Sequence, residues 1–274
     1  MTSDREKIYT KQDILAQLTA MGAPQGSIVL MHSSLRLIGP VEGGAKGLLD
    51  ALLAYFTANG GLFCVPTHTW ANLSHPERHT LDLSDPHTCL GAFSDLAAAD
   101  GRGIRTENPT HSMVVFGDPR RAADFIREEP FVTSGTAPNS CYGKLYEQGG
   151  FVLLVGVAHN KNTYLHCVEE LLEMPNRLSP QPKPVTVRRP DGSVIHRAVH
   201  SHHTDFTGDI SQRFPKYETA FRYHGAITDG FVGRAPTQLC HARRMKEVME
   251  RILLRAEGVD PLIDERAIPP KWYC

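Results

Sequence analysis

The stretch FVLLVGVAHNKNTYLHCVEE, residues 151–170, contains the cleanest apolar run of the chain and the loop that follows it. Residues 151–157 are apolar and include three valines, as expected of a strand that is buried on both faces near the centre of a sheet. Residues 163–173 then show helical spacing. A strand that leads through a short loop into a helix is a building unit of α/β folds, so this stretch predicts that fold class.

The same stretch places an ionisable pair at the start of the predicted helix. If Thr163 is the N-cap residue, His166 falls in the first turn and Glu169 follows three residues later on the same helical face. The positive end of the helix dipole keeps His166 neutral, and Glu169 can hold one ring nitrogen after a proton arrives. A neutral base of this kind suits acyl transfer, but a surface His–Glu pair has the same spacing. Both interpretations stay open at this point.

Strands and helices alternate on either side of this unit. Helical spacing predicts helices, whereas short apolar or β-branched runs predict strands. We predict further strands at residues 27–32, 62–66 and 112–116, and further helices at residues 10–21, 45–59, 90–99, 119–129 and 143–148. Ligand sites in open α/β sheets gather beyond the carboxyl ends of strands, where the loops after these strands would meet.

Two segments interrupt the alternation. Residues 67–88 are polar and broken by Pro76 and Pro86, which predicts a long surface excursion. Residues 175–215 contain VTVRRPDGSVIHRAV (185–199), which alternates like a strand on both sides of Asp191-Gly192 and predicts a hairpin. A last helix is predicted at residues 238–255. We interpret residues 1–274 as a single domain with a core at about 10–255 and insertions at about 67–88 and 175–215.

A candidate anion-binding turn follows the first predicted strand. His32, Ser33 and Ser34 stand at its end, and Gly43-Gly44 precede the next helix. Hydroxyls and free backbone N–H groups at a helix start can cradle a phosphate, although the spacing of a P-loop is absent. A simple strand-to-helix turn capped by serines has the same pattern.

A cluster of histidines indicates a different chemistry. His200, His202 and His203 precede Asp205, and alternate histidines on an extended segment can ligate one metal ion. The order of residues is a near miss of the H-x-H-x-D-H pattern of metallo-β-lactamase-like hydrolases. Because no cysteine or further acidic cluster offers the remaining ligands at familiar spacing, a solvated or substrate-lining strand is favoured over zinc.

The composition limits the partners of the chain. Its 274 residues include 29 Lys and Arg against 30 Asp and Glu, so the basic excess of a dedicated nucleic-acid binder is missing. No apolar run approaches the roughly 18 residues that span a bilayer, and the start MTSDREKIYTKQD carries no apolar signal stretch, so we expect a cytoplasmic protein. Six widely spaced cysteines fit that compartment; Cys167 is interpreted as a small buried residue, and nothing marks Cys141 as an activated nucleophile.

Several motifs occur together in one order. They are HSSLRLIG (32–39), CVPTHTW (64–70), RTENPTHSMVVFG (105–117), SCYGKLYEQGG (140–150), VGVAHNKNTYLHCVEE (155–170) and a weaker GAITDGFVGRA (225–235). In this order the chain resembles the aminoglycoside N3-acetyltransferase family, antibiotic acetyltransferases unrelated to the GNAT fold. The resemblance implies a central mixed β-sheet flanked by helices, with an inserted hairpin and loop region that shapes the acceptor site. It also implies acetyl transfer from acetyl-CoA to the 3-amino group of 2-deoxystreptamine aminoglycosides, and thereby antibiotic resistance.

The resemblance implies roles for individual residues as well. His166 would be the general base and Glu169 its orienting carboxylate, with Asn162 and Thr163 in the same pocket and no metal required. Coenzyme A would contact His32, Ser33, Ser34, Leu35, Arg105, His111, Ser112, Tyr142 and Gly143. The acceptor amine would contact His68, Trp70, Glu170 and Asp205. The partners would be these two small molecules, with no nucleic acid and no membrane, and the chain would be a monomer or a homodimer.

Alternative functions stay open. Cys141 stands where the family usually has proline, and residues 67–88 and 196–205 match nothing in the family, so the acceptor could be an amine other than an aminoglycoside. A polycationic acceptor calls for acidic walls, for which the candidates are Glu169, Glu170, Glu173, Asp205 and Asp209. The chain could also be a zinc-dependent hydrolase that uses the cluster from His200 to Asp205, or a non-catalytic protein that binds coenzyme A.

Overall fold

Strands and α-helices alternate along the part of the chain that the computed structural model describes, residues 7–75 and 77–274. Residues 1–6 and Pro76, which enter the sequence interpretation, lie outside the described residues. The strands, in chain order, are β1 (Ile28–Ser33), β2 (Leu62–Pro66), β3 (Leu81–Asp82), β4 (Ile104–Arg105), β5 (Met113–Phe116), β6 (Phe151–Val155), β7 (Lys183–Arg188), β8 (Val194–Val199), β9 (Ile227–Val232) and β10 (Ala235–His241). The α-helices, in chain order, are α1 (Lys11–Ala20), α2 (Leu35–Ile38), α3 (Gly44–Phe56), α4 (Ala92–Ala99), α5 (Pro119–Ile126), α6 (Cys141–Glu147), α7 (Tyr164–Leu171), α8 (Glu218–Tyr223) and α9 (Ala242–Arg255).

The larger sheet is mixed, and its strand order is β4-β5-β2-β1-β6-β10-β9. β1 runs parallel to both β2 and β6, whereas the outer pairs are antiparallel. The prediction of a central mixed sheet flanked by helices is therefore confirmed. β6, which its apolar composition placed at the centre, is an interior strand, and the middle place belongs to β1.

The three parallel strands are buried on both faces, because successive side chains of a strand point to opposite sides. Leu30 and Cys64 pack into one apolar cluster with residues of α6, α7 and α9. Their neighbours Met31 and Val65 pack into a second cluster with residues of α1 and α3. This double burial explains why the parallel strands read as continuous apolar runs.

The pairing of these strands brings their carboxyl ends to one edge of the sheet. Ser33 of β1 lies opposite Val155 of β6, and the backbone N–H of Ser34 donates to the Val155 carbonyl oxygen at 2.9 Å. The turn after β1, the loop after β2 and the loop between β6 and α7 therefore meet at this edge, as predicted for an open α/β sheet.

A second sheet joins the two segments that were predicted to be separate insertions. Its order is β3-β7-β8, with β7 and β8 forming the predicted hairpin and β3 parallel to β7. The prediction that residues 67–88 are a surface excursion is wrong in part, because Thr67, His68, Thr69 and Leu81 are buried. His68 is inside because it lines a polar cavity, described below, whereas the hydroxyls of Thr67 and Thr69 are hydrogen-bonded to Ser112 and to the Pro109 carbonyl oxygen.

The C-terminal part was only partly predicted. Residues 238–241 were assigned to the last helix, but they belong to β10, and α9 begins at Ala242. The strand is selected by its pairing with β6 and β9, where Leu239 and Cys240 are buried on opposite faces. β9 and α8 were not predicted. Within the described residues, no helix combines the length and apolar character needed to cross a bilayer.

Candidate active site

A cavity of about 830 Å³ opens where β1, β2 and β6 end. Its walls combine the turn after β1, the loop after β2, the loop before α7 and the residues that follow the hairpin. The predicted site residues that line it are His32, Ser33, Ser34, Leu35, His68, Trp70, His111, Asn162, Thr163 and His166. Segments far apart in sequence thus form one continuous surface at the expected edge of the sheet.

His166 lies in the first turn of α7, as predicted. Thr163 occupies the N-cap position, as predicted, but its side chain makes no capping hydrogen bond and its backbone is already helical, with φ −57°. Burial lowers the pKa of His166 to about 4, and Asp209 opposes this shift. The ring is therefore neutral at pH 7 and can accept a proton.

Glu169 lies behind His166, away from the cavity, and its side chain is only 1% exposed. The Glu169 Oε2 atom is 3.4 Å from His166 Nδ1, within ion-pair distance but without hydrogen-bond geometry. Burial raises the pKa of Glu169 to about 7, and Arg177 opposes this shift. Because Nδ1 faces the carboxyl group, Nε2 of His166 is the ring nitrogen left to a ligand.

A buried arginine holds the far side of Glu169. Arg177 Nε donates to Glu169 Oε1, and Arg177 Nη2 donates to Asp260 Oδ2 at 2.6 Å. The Arg177 side chain is 2% exposed. Sequence reasoning missed Arg177 and Asp260, because an ion pair between residues 83 positions apart leaves no local pattern.

The cavity contains a row of imidazole rings. His202 stacks on His166 with the ring centroids 3.9 Å apart and the planes 12° apart. His111 then lies 4.9 Å from His202, and His68 lies 4.6 Å from His111. Burial holds the pKa of His68, His111 and His202 well below the ordinary value. All four rings are therefore neutral at pH 7, which makes this part of the wall polar but uncharged.

Buried polar atoms without partners also face this region. Burial lowers the pKa of His32 to about 3, and within the described chain its Nε2 atom has no hydrogen-bond partner. Asn162 donates from Nδ2 to His159 Nδ1 at 3.2 Å, while its Oδ1 atom has no partner among the described residues. Burial of such atoms without a partner costs free energy.

Two residues predicted to contact coenzyme A lie behind the cavity wall. Ser112 is fully buried and donates to the Thr67 carbonyl oxygen at 2.7 Å. Arg105 donates to the carbonyl oxygens of Thr67 and Asp85, at 3.2 and 2.5 Å. Neither residue lines the cavity. Their hydrogen bonds fix the loop after β2, so they position the wall instead of contacting a ligand directly.

Tyr142 and Gly143, also predicted to contact coenzyme A, are packing residues of α6. The Tyr142 hydroxyl is 2.8 Å from His68 Nε2, and the tyrosine is fully buried. A Cβ atom on Gly143 would lie 1.8 Å from the Pro138 carbonyl oxygen, so the helix needs glycine there to approach the preceding loop. Both residues support the wall from outside the cavity.

The predicted acidic wall is largely absent. Glu170 is buried beneath the wall, and Asp205 is 79% exposed outside it, so neither carboxylate lines the cavity. Among the described residues, Asp209 is the carboxylate of the lining, together with the cations Lys161 and Lys183. The cavity therefore carries no excess of negative charge.

A family model described as aminoglycoside 3-N-acetyltransferase matches residues 30–254, which include every lining residue named above. The chain belongs to the aminoglycoside 3-N-acetyltransferase family. The family prediction and the predicted enzyme class, an acyltransferase, are both confirmed.

Relatives of this family member match over nearly the whole chain. Aminoglycoside N(3)-acetyltransferase IV of Salmonella sp is 30% identical over 262 residues, covering 93% of this chain and 90% of that protein. A solved structure of a histidine-to-alanine variant of aminoglycoside acetyltransferase AAC(3)-IVa, in complex with a gentamicin, is 25% identical with a TM-score of 0.77. It covers 95% of this chain and 93% of its own. AAC-IIIb, solved with CoASH, shares the fold at 21% identity and a TM-score of 0.76, covering 93% of this chain and 100% of its own.

The histidine cluster of this acetyltransferase family member does not converge on a metal position. His200 Nδ1 lies 2.6 Å from the Ser179 carbonyl oxygen, His202 stacks on His166, and His203 pairs with Asp205. In residues 7–75 and 77–274, no group of three or more His, Cys, Asp or Glu is arranged to hold a metal ion. The hypothesis of a zinc hydrolase therefore has no structural support in this region.

The two cysteines near the site are packing residues, as interpreted from the sequence for Cys167. Cys141 and Cys167 are fully buried. Burial raises the pKa of both thiols well above the ordinary value. Because the thiolate is the nucleophilic form, neither residue is activated for attack.

Proposed function

We propose that this chain transfers the acetyl group of acetyl-CoA to the 3-amino group of 2-deoxystreptamine aminoglycosides, with His166 as general base. The observation that carries the proposal is the neutral His166 ring on the cavity wall, with Glu169 buried behind it. A neutral imidazole backed by a carboxyl group can accept a proton and then stabilise it.

The reaction requires two bonds to change and one proton to move. The acceptor amine attacks the carbonyl carbon of the thioester, and His166 Nε2 removes a proton from the attacking nitrogen as the C–N bond forms. The C–S bond then breaks, and the thiolate of coenzyme A takes the proton from the His166 imidazolium. Direct attack needs no covalent enzyme intermediate, and the cavity contributes by holding both reactants together.

The turn after β1 is the proposed contact for acetyl-CoA. Ser33, Ser34 and Leu35 line the cavity, and the two serine hydroxyls have no hydrogen-bond partner among the described residues. Lys161 and Lys183 could pair with phosphate groups of the donor. The binding of CoASH by AAC-IIIb, a protein of the same fold, supports this choice of donor.

The acceptor follows from the family and from relatives that act on aminoglycosides. Asp209 and the half-exposed Trp70 are the proposed contacts for a cationic sugar. One observation favours a second candidate acceptor, an amine that is not an aminoglycoside: the lining pairs a single carboxylate with two lysines, whereas a polycation prefers several carboxylates. For either acceptor we propose that the protein acts in the cytoplasm, where acetyl-CoA is supplied. We propose antibiotic resistance only for an aminoglycoside acceptor.

The test is thiol release from acetyl-CoA with a panel of aminoglycosides and simple amines, followed by NMR of the product. We expect turnover with at least one 2-deoxystreptamine aminoglycoside and an acetyl group on its 3-amino nitrogen. Turnover with other amines alone would favour the second candidate. Absence of thiol release with every amine would overturn the proposed activity.

A further inference from the structure

A second histidine lies directly beside the proposed base. His202 reaches the cavity from the segment that follows the β7–β8 hairpin, and its ring lies nearly parallel to that of His166 at 3.9 Å. Its backbone is fixed by a bridge to Leu178, and a neighbouring bond runs from the His203 N–H to the Arg177 carbonyl oxygen at 3.0 Å. His202 is thus tied to the chain segment that also carries Arg177, the partner of Glu169.

A series of side-chain hydrogen bonds determines which nitrogen of His202 carries the proton. The Ser134 hydroxyl donates to Glu170 at 2.6 Å, and the Thr136 hydroxyl donates to Glu170 Oε1 at 2.6 Å. The Thr136 oxygen also lies 2.8 Å from His202 Nε2. An ionised Glu170 can only accept, and a hydroxyl has one proton, so with Glu170 ionised Thr136 accepts from His202 at this contact. His202 is therefore protonated at Nε2, and its Nδ1 atom is an acceptor.

The acceptor nitrogen of His202 is available to a ligand. Among the described residues, Nδ1 has no hydrogen-bond partner, and it is not among the buried atoms that lack one. The ring is 17% exposed and belongs to the cavity wall. A fixed acceptor beside the proposed base suits a donor group that neighbours the reactive amine, such as a hydroxyl or an ammonium group on the same sugar ring.

We propose that His202 is an acceptor-binding residue that positions both the acceptor and the base: its Nδ1 atom accepts a hydrogen bond from the acceptor, and its ring stacks on His166 and fixes the plane of that ring. Glu170 and Thr136 are the positioning residues that fix its tautomer. This inference rests on the proposed function for the identity of the acceptor. The tautomer itself can be measured without any turnover.

The first experiment reads the tautomer directly from the imidazole ¹⁵N signals of the wild-type protein between pH 6 and 8. We expect a protonated Nε2 and an unprotonated Nδ1 for His202, assigned by the loss of its signals in His202→Phe. In Thr136→Val the signals should shift toward a mixture of tautomers, and Thr136→Ser should restore them. A protonated Nδ1 in the wild-type protein would overturn the inference.

The second experiment measures binding of gentamicin by calorimetry without acetyl-CoA. His202→Phe keeps an aromatic face against His166 but removes the acceptor atom, so we expect a Kd about tenfold weaker, as for loss of one hydrogen bond. Thr136→Val should weaken binding in the same direction, with recovery in Thr136→Ser. His196→Phe, on the exposed surface of β8, is the matched control and should bind like the wild type.

Steady-state kinetics distinguish acceptor binding by His202 from its stacking on His166. His202→Phe should keep the KM for acetyl-CoA and most of kcat, because the stack remains, whereas His202→Ala should lose kcat as well. If wild-type protein transfers acetyl to gentamicin but His202→Phe binds it equally well, the inference is wrong and the proposed function stands. If wild-type protein neither binds nor acetylates any amine of the panel, the proposed function fails and the acceptor-binding role falls with it.

Discussion

At the scale of single residues, the site depends on how burial distributes protons between His166 and Glu169. Burial disfavours the charged form of each group, so the pKa of His166 falls to about 4 and that of Glu169 rises to about 7. The i,i+3 spacing predicted that His166 and Glu169 share one helical face, but it fitted a surface pair equally well, and the family resemblance favoured the catalytic interpretation. Arg177 and Asp260 could not be predicted in the same way, because the contacts of Arg177 with Glu169 and with Asp260 exist only after the chain has folded.

Replacement of Glu169 by glutamine tests the orienting carboxylate. Glutamine keeps the shape but cannot stabilise the His166 imidazolium, so we expect kcat to fall about 10- to 100-fold, as for loss of one charged contact. Glu247→Gln, on the exposed face of α9, is the control and should keep wild-type kcat. An unchanged kcat in Glu169→Gln would remove this residue from the mechanism.

The pH dependence of kcat/KM tests the same pair independently. Since the pKa of Glu169 is raised to about 7, the fraction of ionised carboxylate and hence activity should rise as pH increases through about 7. In Glu169→Gln that step should disappear, leaving the rise near pH 4 where burial places the His166 pKa. Titration of the acceptor amine affects the wild type and Glu169→Gln equally, so it cancels in the ratio of their kcat/KM values. A constant ratio between pH 5 and 9 would contradict the assignment.

At the scale of elements, the carboxyl ends of three parallel strands bring the site together. Apolar runs predicted β1, β2 and β6, and their parallel order explains why the loops after them meet. Prediction was poorer where a short run fits the periodicity of both a strand and a helix. Residues 238–241 pair as part of β10, although their apolar content also fits a helix. The joining of β3 to the hairpin involves residues more than 100 positions apart, which no local pattern encodes.

The loop between α5 and α6 offers a test of how elements support the cavity. A Cβ atom on Gly135 would lie 2.0 Å from His111 Nδ1, so alanine must displace either the loop or that ring. We expect Gly135→Ala to lower the free energy of unfolding by about 1–3 kcal/mol and to raise the KM for acetyl-CoA. Gly101→Ala is the control, because a Cβ atom there meets open space. Denaturant unfolding and steady-state kinetics of both variants decide the matter; equal behaviour would show that this loop does not support the site.

At the scale of the whole molecule, buried histidines link stability to pH. Burial lowers the pKa of His32, His68, His111, His159, His166 and His202. Three buried carboxyl groups, those of Glu129, Glu169 and Glu170, have raised pKa values and act in the opposite direction. The histidines outnumber these carboxyl groups, so the unfolded chain binds more protons than the folded one below the ordinary histidine pKa.

This imbalance predicts a loss of stability on mild acidification. Each proton taken up in excess by the unfolded chain costs about 1.4 kcal/mol per pH unit, so the free energy of unfolding should fall by several kcal/mol between pH 7 and pH 5. Urea unfolding at both pH values measures the difference. The decrease should be smaller in His159→Gln, because this variant has one fewer buried histidine with a lowered pKa. His159 packs on Phe221 and is not one of the proposed catalytic residues. Equal stability at the two pH values would contradict the burial of neutral histidines.

The most direct test of the whole account is the kcat for thiol release from acetyl-CoA by His166→Ala, measured with the aminoglycoside that the wild type uses best. Loss of a general base predicts a decrease of about 10²- to 10⁴-fold, with binding of acetyl-CoA retained. His196→Ala, an exposed histidine outside the cavity lining, should keep wild-type kcat. If His166→Ala turned over at the wild-type rate, His166 would not be the base and the proposed mechanism would be wrong.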